Sequence, residues 1–266
     1  MGPSGDVSTI ADSSRPNAGR IYDFLLGGNH NFEIDRQAAQ RVIEIGPFFP
    51  QLFRLIRWFL GEATRRLCDE GFRNFIDFAS GLPTVDHIHE VSPEGTKVLY
   101  SDRDPVTVAY ARQITGDDPN IRYIQCDAGR PEDLLESSVV KELFGDERRM
   151  AFGFNGICYF LDDEVLARSL QTIYDWAEPG SKLFLSDNDV ILTSRSTQMV
   201  KLYENLQRLH IRDLKRVKEL IKPWSICEPG FMPLEDWVGM DHSVAEEMTR
   251  SFGGHMVGAI LEKTSR

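Results

Sequence analysis

The sequence predicts an α/β fold, a mostly parallel seven-stranded sheet with helices on both faces. Three observations predict it. Seven short apolar runs of strand length recur, at Phe75–Phe78, Lys97–Tyr100, Asn120–Gln125, Phe152–Phe160, Lys182–Ser186, Ser225–Cys227 and His255–Leu261. Segments of helical period separate them. The order strand, helix, strand, helix repeats, which favours parallel pairing with right-handed crossovers.

The elements follow in order. Met1 to Ser14 is rich in Ser, Asp and Gly and is expected to be disordered. Residues 15–266 are expected to form a single domain, with 15–70 as a helical lid and support and 71–266 as the core. Arg15–Asn31, RPNAGRIYDFLLGGNHN, has two readings. In one it is a helix capped by glycine. In the other it is a lid hinged at Gly27-Gly28, carrying the polar groups of Arg20, Tyr22, Asp23, Asn29, His30 and Asn31. Ile34–Ile45 is helical and is stopped by Gly46-Pro47. Phe48–Glu70 is a longer amphipathic helix in which Leu52, Ile56, Phe59, Leu60 and Ala63 repeat at helical spacing.

The first strand carries Asp77 near its end, followed by three small residues, Ala79, Ser80 and Gly81. Such a turn lets a ligand approach the backbone. A short helix is expected after Pro83, carrying His87, Ile88 and Val91. Asp102 closes the next strand, 21 residues after Gly81. A Rossmann-like unit sets a carboxylate against ribose hydroxyls at about that distance, ~20 residues. The turn has one glycine, with Leu82-Pro83 in place of others, so it suits a nucleoside better than a pyrophosphate.

Asp104-Pro105 starts a helix as cap and first residue. The third strand ends in Cys126-Asp127-Ala128, and Asp162–Trp176 is a helix. Ile191–Ile221 reads as mainly helical and heavily charged, either a solvated face or a pocket wall. The two last strands are expected to close the sheet as an antiparallel pair.

Ligands of open parallel sheets bind beyond the C-terminal strand ends. Those ends carry Asp77, Asp102, Asp127, Asn155 and Asp187. Asp102 can accept from a ribose diol, and Asp127 with the backbone of Ala128 can read an adenine edge. Asp77 can take an ammonium group. Together they suggest a nucleoside with an amino-acid tail, which describes S-adenosylmethionine. Each also has a structural reading, as helix cap, turn former or partner of backbone donors.

Composition sets limits. A net charge of −11 argues against binding nucleic acid or an anionic membrane. The four cysteines are scattered and read as reduced thiols of a cytoplasmic protein, not as a disulfide frame or a metal site. No apolar run approaches the ~18 residues of a membrane span.

FIDFASGLPT, VLYSDRDPV and YIQCDAGRPEDLL resemble the first three cofactor motifs of class I S-adenosylmethionine-dependent methyltransferases. RPNAGRIYDFLLGGNHNFEIDRQAA resembles, more closely, a mostly actinobacterial S-adenosyl methyltransferase family once filed as a domain of unknown function. The resemblance implies a Rossmann-like fold, S-adenosylmethionine as cofactor and S-adenosylhomocysteine as product. It implies cofactor contacts at Asp77, Ala79, Gly81, Asp102, Asp127 and Ala128, and Ser80, Arg103 and Asn155 at the same turn and strand ends are further candidates for cofactor contact. The family pattern has glycine at the position of Ala79. If the N-terminal segment is a lid, Arg20 can pair with the cofactor carboxylate, and Tyr22 and His30 are the candidate catalytic residues. The expected partner is a small-molecule methyl acceptor, with secondary metabolism as the setting, and the expected state a monomer or homodimer. A module that holds the cofactor without transferring the methyl is the second reading. A nicotinamide oxidoreductase is the third, disfavoured by the glycine-poor turn.

Overall fold

The computed structural model describes residues 14–191 and 208–265. The expected disorder of residues 1–14 falls almost wholly outside that range.

Eight strands form one sheet in the order β3-β2-β1-β4-β5-β8-β6, with β7 also paired to β8. They are β1 (Asn74–Asp77), β2 (Lys97–Asp102), β3 (Ile121–Gln125), β4 (Ala151–Phe154), β5 (Lys182–Val190), β6 (Ser225–Ile226), β7 (Met232–Pro233) and β8 (Gly254–Glu262). Strands β1 to β5 pair in parallel. β8 runs antiparallel to β5, β6 and β7. The expected parallel sheet is therefore present, with one strand more than the seven read from the sequence. That strand, β7, has two residues, too few to leave a periodic signal.

The helices are α1 (Ala18–Leu26), α2 (Glu33–Ile45), α3 (Phe49–Asp69), α4 (Ile88–Val91), α5 (Pro105–Thr115), α6 (Glu132–Leu135), α7 (Ser138–Phe144), α8 (Asp163–Trp176), α9 (Leu214–Leu220), α10 (Leu234–Val238) and α11 (Ser243–Phe252). Strand side chains alternate between the two faces. Phe75, Tyr100, Ala151 and Phe184 join α3, α5 and α11 in one core. Ile76, Leu99, Phe152 and Leu183 join α7, α8 and α9 in the other. The same parity sends Asp77 and Gly153 to the α3 face. No helix of the described residues is long and apolar enough to cross a membrane.

Three elements differ from the sequence reading. The fourth strand ends at Phe154, because Gly156 turns the chain with φ +70° and a short 3-10 turn follows at Cys158–Phe160. The helix after the first turn begins only at Ile88 and has four residues. Pro83 and the buried Leu82 hold the intervening chain irregular. Of the long charged helix expected at 191–221, residues 192–207 lie outside the described range and only Leu214–Leu220 is helical.

Nor is that charged segment wholly a solvated face. Arg212 is 3% exposed. Its guanidinium donates to Asp163 Oδ1 at 2.7 Å, to Cys158 O at 3.0 Å and to Asp187 Oδ2 at 3.4 Å. It also bonds Leu161 O. Asp187 is fully buried in β5, and burial raises its carboxyl to about 7 even though Arg212 pulls it down. Replacing Arg212 with Met leaves Asp187 without its cation. The expected loss is about 3–5 kcal/mol of unfolding free energy at pH 8, the scale for half of a buried pair. The loss should be smaller at pH 5, where Asp187 is protonated. Urea unfolding at both pH values checks this, and an equal loss at both would contradict it.

Candidate functional site

Asp77 is the last residue of β1, in register with Gly153 of β4. A Cβ at Gly153 would lie 2.1 Å from Asp77 Oδ1. The carboxylate therefore occupies the space that glycine leaves free. It is 1% exposed, and its Oδ2 has no hydrogen-bond partner among the described residues. Burial raises its pKa to about 6; Ser80 and Arg57 pull the other way, and Asp102 adds to the rise.

The turn after Asp77 is tied down on every side except the one facing out. Ser80 donates its N–H to Ser101 O at 2.8 Å and its hydroxyl to Asp77 O at 2.9 Å. His87 Nδ1 accepts the Ile88 N–H at 3.0 Å, so Nε2 carries the proton and donates to Ser80 O at 3.2 Å. Burial, the first cause, holds the His87 pKa well down and the ring neutral. Tyr123 donates to Gly81 O. Asp102 closes the turn from the other strand, accepting from Gly81 N at 3.2 Å and Asp104 N at 2.9 Å. Burial raises its pKa, and those two N–H groups oppose the rise. Gly81 has φ +64°, and nothing lies within 4 Å of where a Cβ would stand, so its outer side is open. Ala79 has φ +54°. The family's glycine would adopt that conformation freely, whereas alanine there carries backbone strain.

The N-terminal helices reach the same strand ends. Asn17 caps α1, accepting from Arg20 N at 3.0 Å. Its amide also bonds Asp104 and Thr107, at the start of α5 beside Asp102. Asp35 of α2 fixes the unit, accepting Asn17 N at 2.9 Å, Phe32 N at 2.9 Å and Arg20 Nε at 2.6 Å. Arg20 is thus a buried partner of Asp35, and the guanidinium expected at a cofactor carboxylate is engaged within the N-terminal unit. The glycine pair has packing roles. Gly27 ends α1 with φ +88°, and a Cβ at Gly28 would lie 2.1 Å from Asp23 Oδ1.

Tyr22 meets Phe53 edge-on at 5.3 Å and donates its hydroxyl to Phe53 O at 3.1 Å. Burial raises its pKa, Arg57 opposes, and the charge of Asp77 adds to the rise. The phenol therefore stays neutral. His30 bonds Tyr110 of α5 through Nδ1 at 2.9 Å, and its N–H donates to Asp23 at 2.8 Å. No contact joins His30 to Tyr22, Asp77 or Asp102 among the described residues.

The remaining strand ends divide. Asp127 is exposed and holds Gly129 N at 2.9 Å in a turn, with Ala128 buried behind it. Arg103 is exposed beside Asp102. Asn155 has both ends of its amide engaged, donating to Ile56 O at 2.9 Å and accepting from Ser186 at 2.7 Å. It ties α3 to β4 and β5.

Sequence reasoning missed Arg57. It lies in the middle of α3, is 3% exposed, and sits against Tyr22, its guanidinium carbon 5.4 Å from the Tyr22 ring centre. It also missed an apolar pocket beyond the end of β5, walled by Phe48, Phe49, Phe53, Ile56, Met248 and Phe252, with Tyr159 and Asn188 as its polar members. The arginine stands among Arg54, Arg65 and Arg66 of the same helix, and nothing in the order of residues sets it apart.

A family model described as S-adenosyl methyltransferase matches residues 5–260. A candidate methyltransferase from Thermobifida fusca is 25% identical, with 99% of this chain and 100% of that chain covered and a TM-score of 0.84. A DUF574 family protein from Streptomyces avermitilis is 23% identical, with 95% and 99% covered and a TM-score of 0.79. Magnesium protoporphyrin IX methyltransferase from Synechocystis, solved with S-adenosylhomocysteine, shares the fold at 10% identity, with 97% and 100% covered and a TM-score of 0.54. No curated protein matches the chain.

The geometry of Asp77 generates a stability prediction. Its folded pKa of about 6 lies above the value near 3.8 of an ordinary aspartate. The protonated form therefore stabilises the fold at low pH, and that contribution is lost as pH rises through about 6. Two units correspond to on the order of 3 kcal/mol. Asp77→Asn should raise unfolding free energy relative to wild type at pH 8 and change it little at pH 4. Buried neutral His87 acts with the opposite sign below about pH 6.5 in both proteins, so the difference isolates Asp77. Equal differences at both pH values would count against a buried, unpaired carboxylate.

Proposed function

We propose that this chain, which belongs to the S-adenosyl methyltransferase family, methylates an apolar, ring-containing small molecule. The cofactor of the family is S-adenosylmethionine, and the chain is an enzyme of that chemistry. The kind of acceptor is the proposal. Its main support is the pocket beyond β5, whose wall is four phenylalanines, isoleucine and methionine. Ile56 and Phe53 belong both to that wall and to the edge of the cofactor site, through Asn155 and Tyr22. An acceptor seated there would bury apolar area, worth roughly 25 cal/mol per Å². A sugar or an amino acid would lose hydration with few polar partners in return. An acceptor of secondary metabolism, in the cytoplasm, fits the four free thiols and this lining.

The residues fit the cofactor. Buried Asp77 Oδ2 lacks a partner, and the outer side of Gly81 is open. In this reading Asp102 holds the ribose diol, Asp127 and the Ala128 backbone read the adenine, and the Ala79–Gly81 backbone lies under the ligand. Exposed Arg103 flanks the ribose. Bound S-adenosylmethionine supplies an activated methyl group, so the protein's work is proximity and exclusion of water. Helix α1 serves as a lid, since Asn17 ties it to the start of α5 beside Asp102 and Tyr22 ties it to Phe53 of α3. Tyr22 is a wall of the site rather than a base, because its hydroxyl is spent on Phe53 O. His30, on Tyr110, holds the lid loop to α5.

Two measurements test the reading. Asp102→Ala should weaken S-adenosylhomocysteine binding by about 1.5–3 kcal/mol in calorimetry, the scale of hydrogen bonds to a charged group. Unchanged affinity in the folded variant removes Asp102 from the site. Release of S-adenosylhomocysteine should be fastest with apolar phenols and fused-ring acceptors in a panel that also holds sugars and amino acids. Turnover only with the polar members contradicts the proposed acceptor class.

A further inference from the structure

A cavity of about 290 Å³ opens between α3, the loop that leads into α4 and the chain after α10. No residue of the Asp77 turn lines it, and it shares none with the apolar pocket beyond β5. Trp58, Gly61, Glu62 and Arg65 line it at spacings i, i+3, i+4 and i+7, so α3 presents them as one stripe. Val238 and Met240 add an apolar wall, and Met240 is exposed. Gly61 is buried in mid-helix, where glycine weakens the helix. The atoms nearest to where its Cβ would stand are those of the Arg65 guanidinium, from 3.5 Å, so the missing side chain leaves the cavity its floor. Asp86 completes the lining with φ +57°. Its conformation is uncommon outside glycine and clusters at functional sites; among the described residues Ala79 at the cofactor turn is the other non-glycine case. Glu62 is paired with Arg66 at 2.7 Å. The side chains of Asp86 and Arg65 have no hydrogen-bond or ion-pair partner among the described residues, and they do not pair with each other.

We infer that this cavity binds a free α-amino acid with an aromatic or large apolar side chain, as a second site beside that of the cofactor. Arg65 takes the carboxylate, for which the guanidinium fork is suited. Asp86 takes the ammonium group, and Trp58 with Met240 takes the side chain, the ring of Trp58 offering a face for an aromatic partner. The charges select this class. A ligand with two positive groups would set one against Arg65, and one with two negative groups would meet Asp86 and Glu62. The volume agrees, since it lies at the lower end of small-molecule clefts, roughly 300 Å³. Asp86 immediately precedes His87, whose ring bonds Ser80 O, so the site adjoins the cofactor turn without using its residues.

The test compares L-phenylalanine with 2-phenylethylamine, which lacks the carboxylate, and 3-phenylpropionate, which lacks the amine. Calorimetry of wild type should show one site for L-phenylalanine, bound more tightly than either analogue, and saturating S-adenosylhomocysteine should leave that binding in place. Arg65→Met should lower L-phenylalanine affinity by roughly tenfold or more, the lower end for hydrogen bonds to a charged group, and spare 2-phenylethylamine. Asp86→Asn should lower L-phenylalanine affinity likewise and spare 3-phenylpropionate; asparagine also adopts the left-handed backbone of that position. Gly61→Leu puts a side chain into the cavity and a better helix former into α3, so it should abolish binding without lowering the melting temperature, and it carries the test if Asp86→Asn does not fold. Absence of L-phenylalanine binding overturns the inference, as does affinity that all three variants leave unmoved. So does binding that S-adenosylhomocysteine displaces, which assigns the amino acid to the cofactor site instead.

Discussion

The carboxylate of Asp77 sits in the volume left by the missing side chain of Gly153, and much of the site is arranged around that placement. The parity of β1 sends it to the α3 face, where Phe75 and Ala151 build the core. A buried carboxylate needs compensation. The protein supplies only part of it, from Ser80 and the more distant charge of Arg57, so the group titrates near 6 rather than near 4. The fold thus carries an unsatisfied anion into the interior at the point where its neighbours leave an opening. Such a group is a candidate for a functional site on physical grounds.

The rest of the site stabilises that opening without filling it. Ser80, Ser101, His87 and Tyr123 fix the turn from below and from the side. Asp102 spans from one strand end to the next. The α1–α2 unit is held together by Asp35 and anchored on α5 by Asn17. Helix α3 lies between the two systems. Its inner face packs the sheet through Phe59, and Ile56 O receives Asn155 from β4. Rigid supports of this kind place a charged or polar ligand within narrow limits.

Much of the core is legible in the sequence, and the reason is local. The runs FIDF and KVLY, the small turn and Asp102 depend on neighbours close in the chain, so periodicity and spacing reveal them. The end of the fourth strand and the late start of α4 are not legible. Gly156 and Pro83 act there through turns that apolar composition hides. Asp187 reads as the end of the fifth strand, whereas β5 runs on to Val190 and buries it within the strand, and its partner Arg212, 25 residues on, falls in a segment that reads as a solvated face. Long-range ion pairs leave no periodic trace. Arg57 shows the same limit. The middle of α3 is buried on most of its circumference, between the sheet and α1, and only the fold distinguishes it from the exposed Arg54 and Arg65. The glycine pair at 27–28 has two readings in the sequence, a helix cap and a hinge; in the structure Gly27 caps α1 and Gly28 makes a close approach to Asp23.

The central claim is that Asp77 is an unsatisfied buried anion whose missing partner is the cation of a bound ligand. Carbon-detected NMR of the Asp77 carboxyl follows this directly, by pH titration with and without S-adenosylhomocysteine. The account predicts an apparent pKa of about 6 in the free protein and a fall towards the ordinary aspartate value, or lower, in the complex. A titration that the ligand leaves unmoved, or one already ordinary in the free protein, would contradict it.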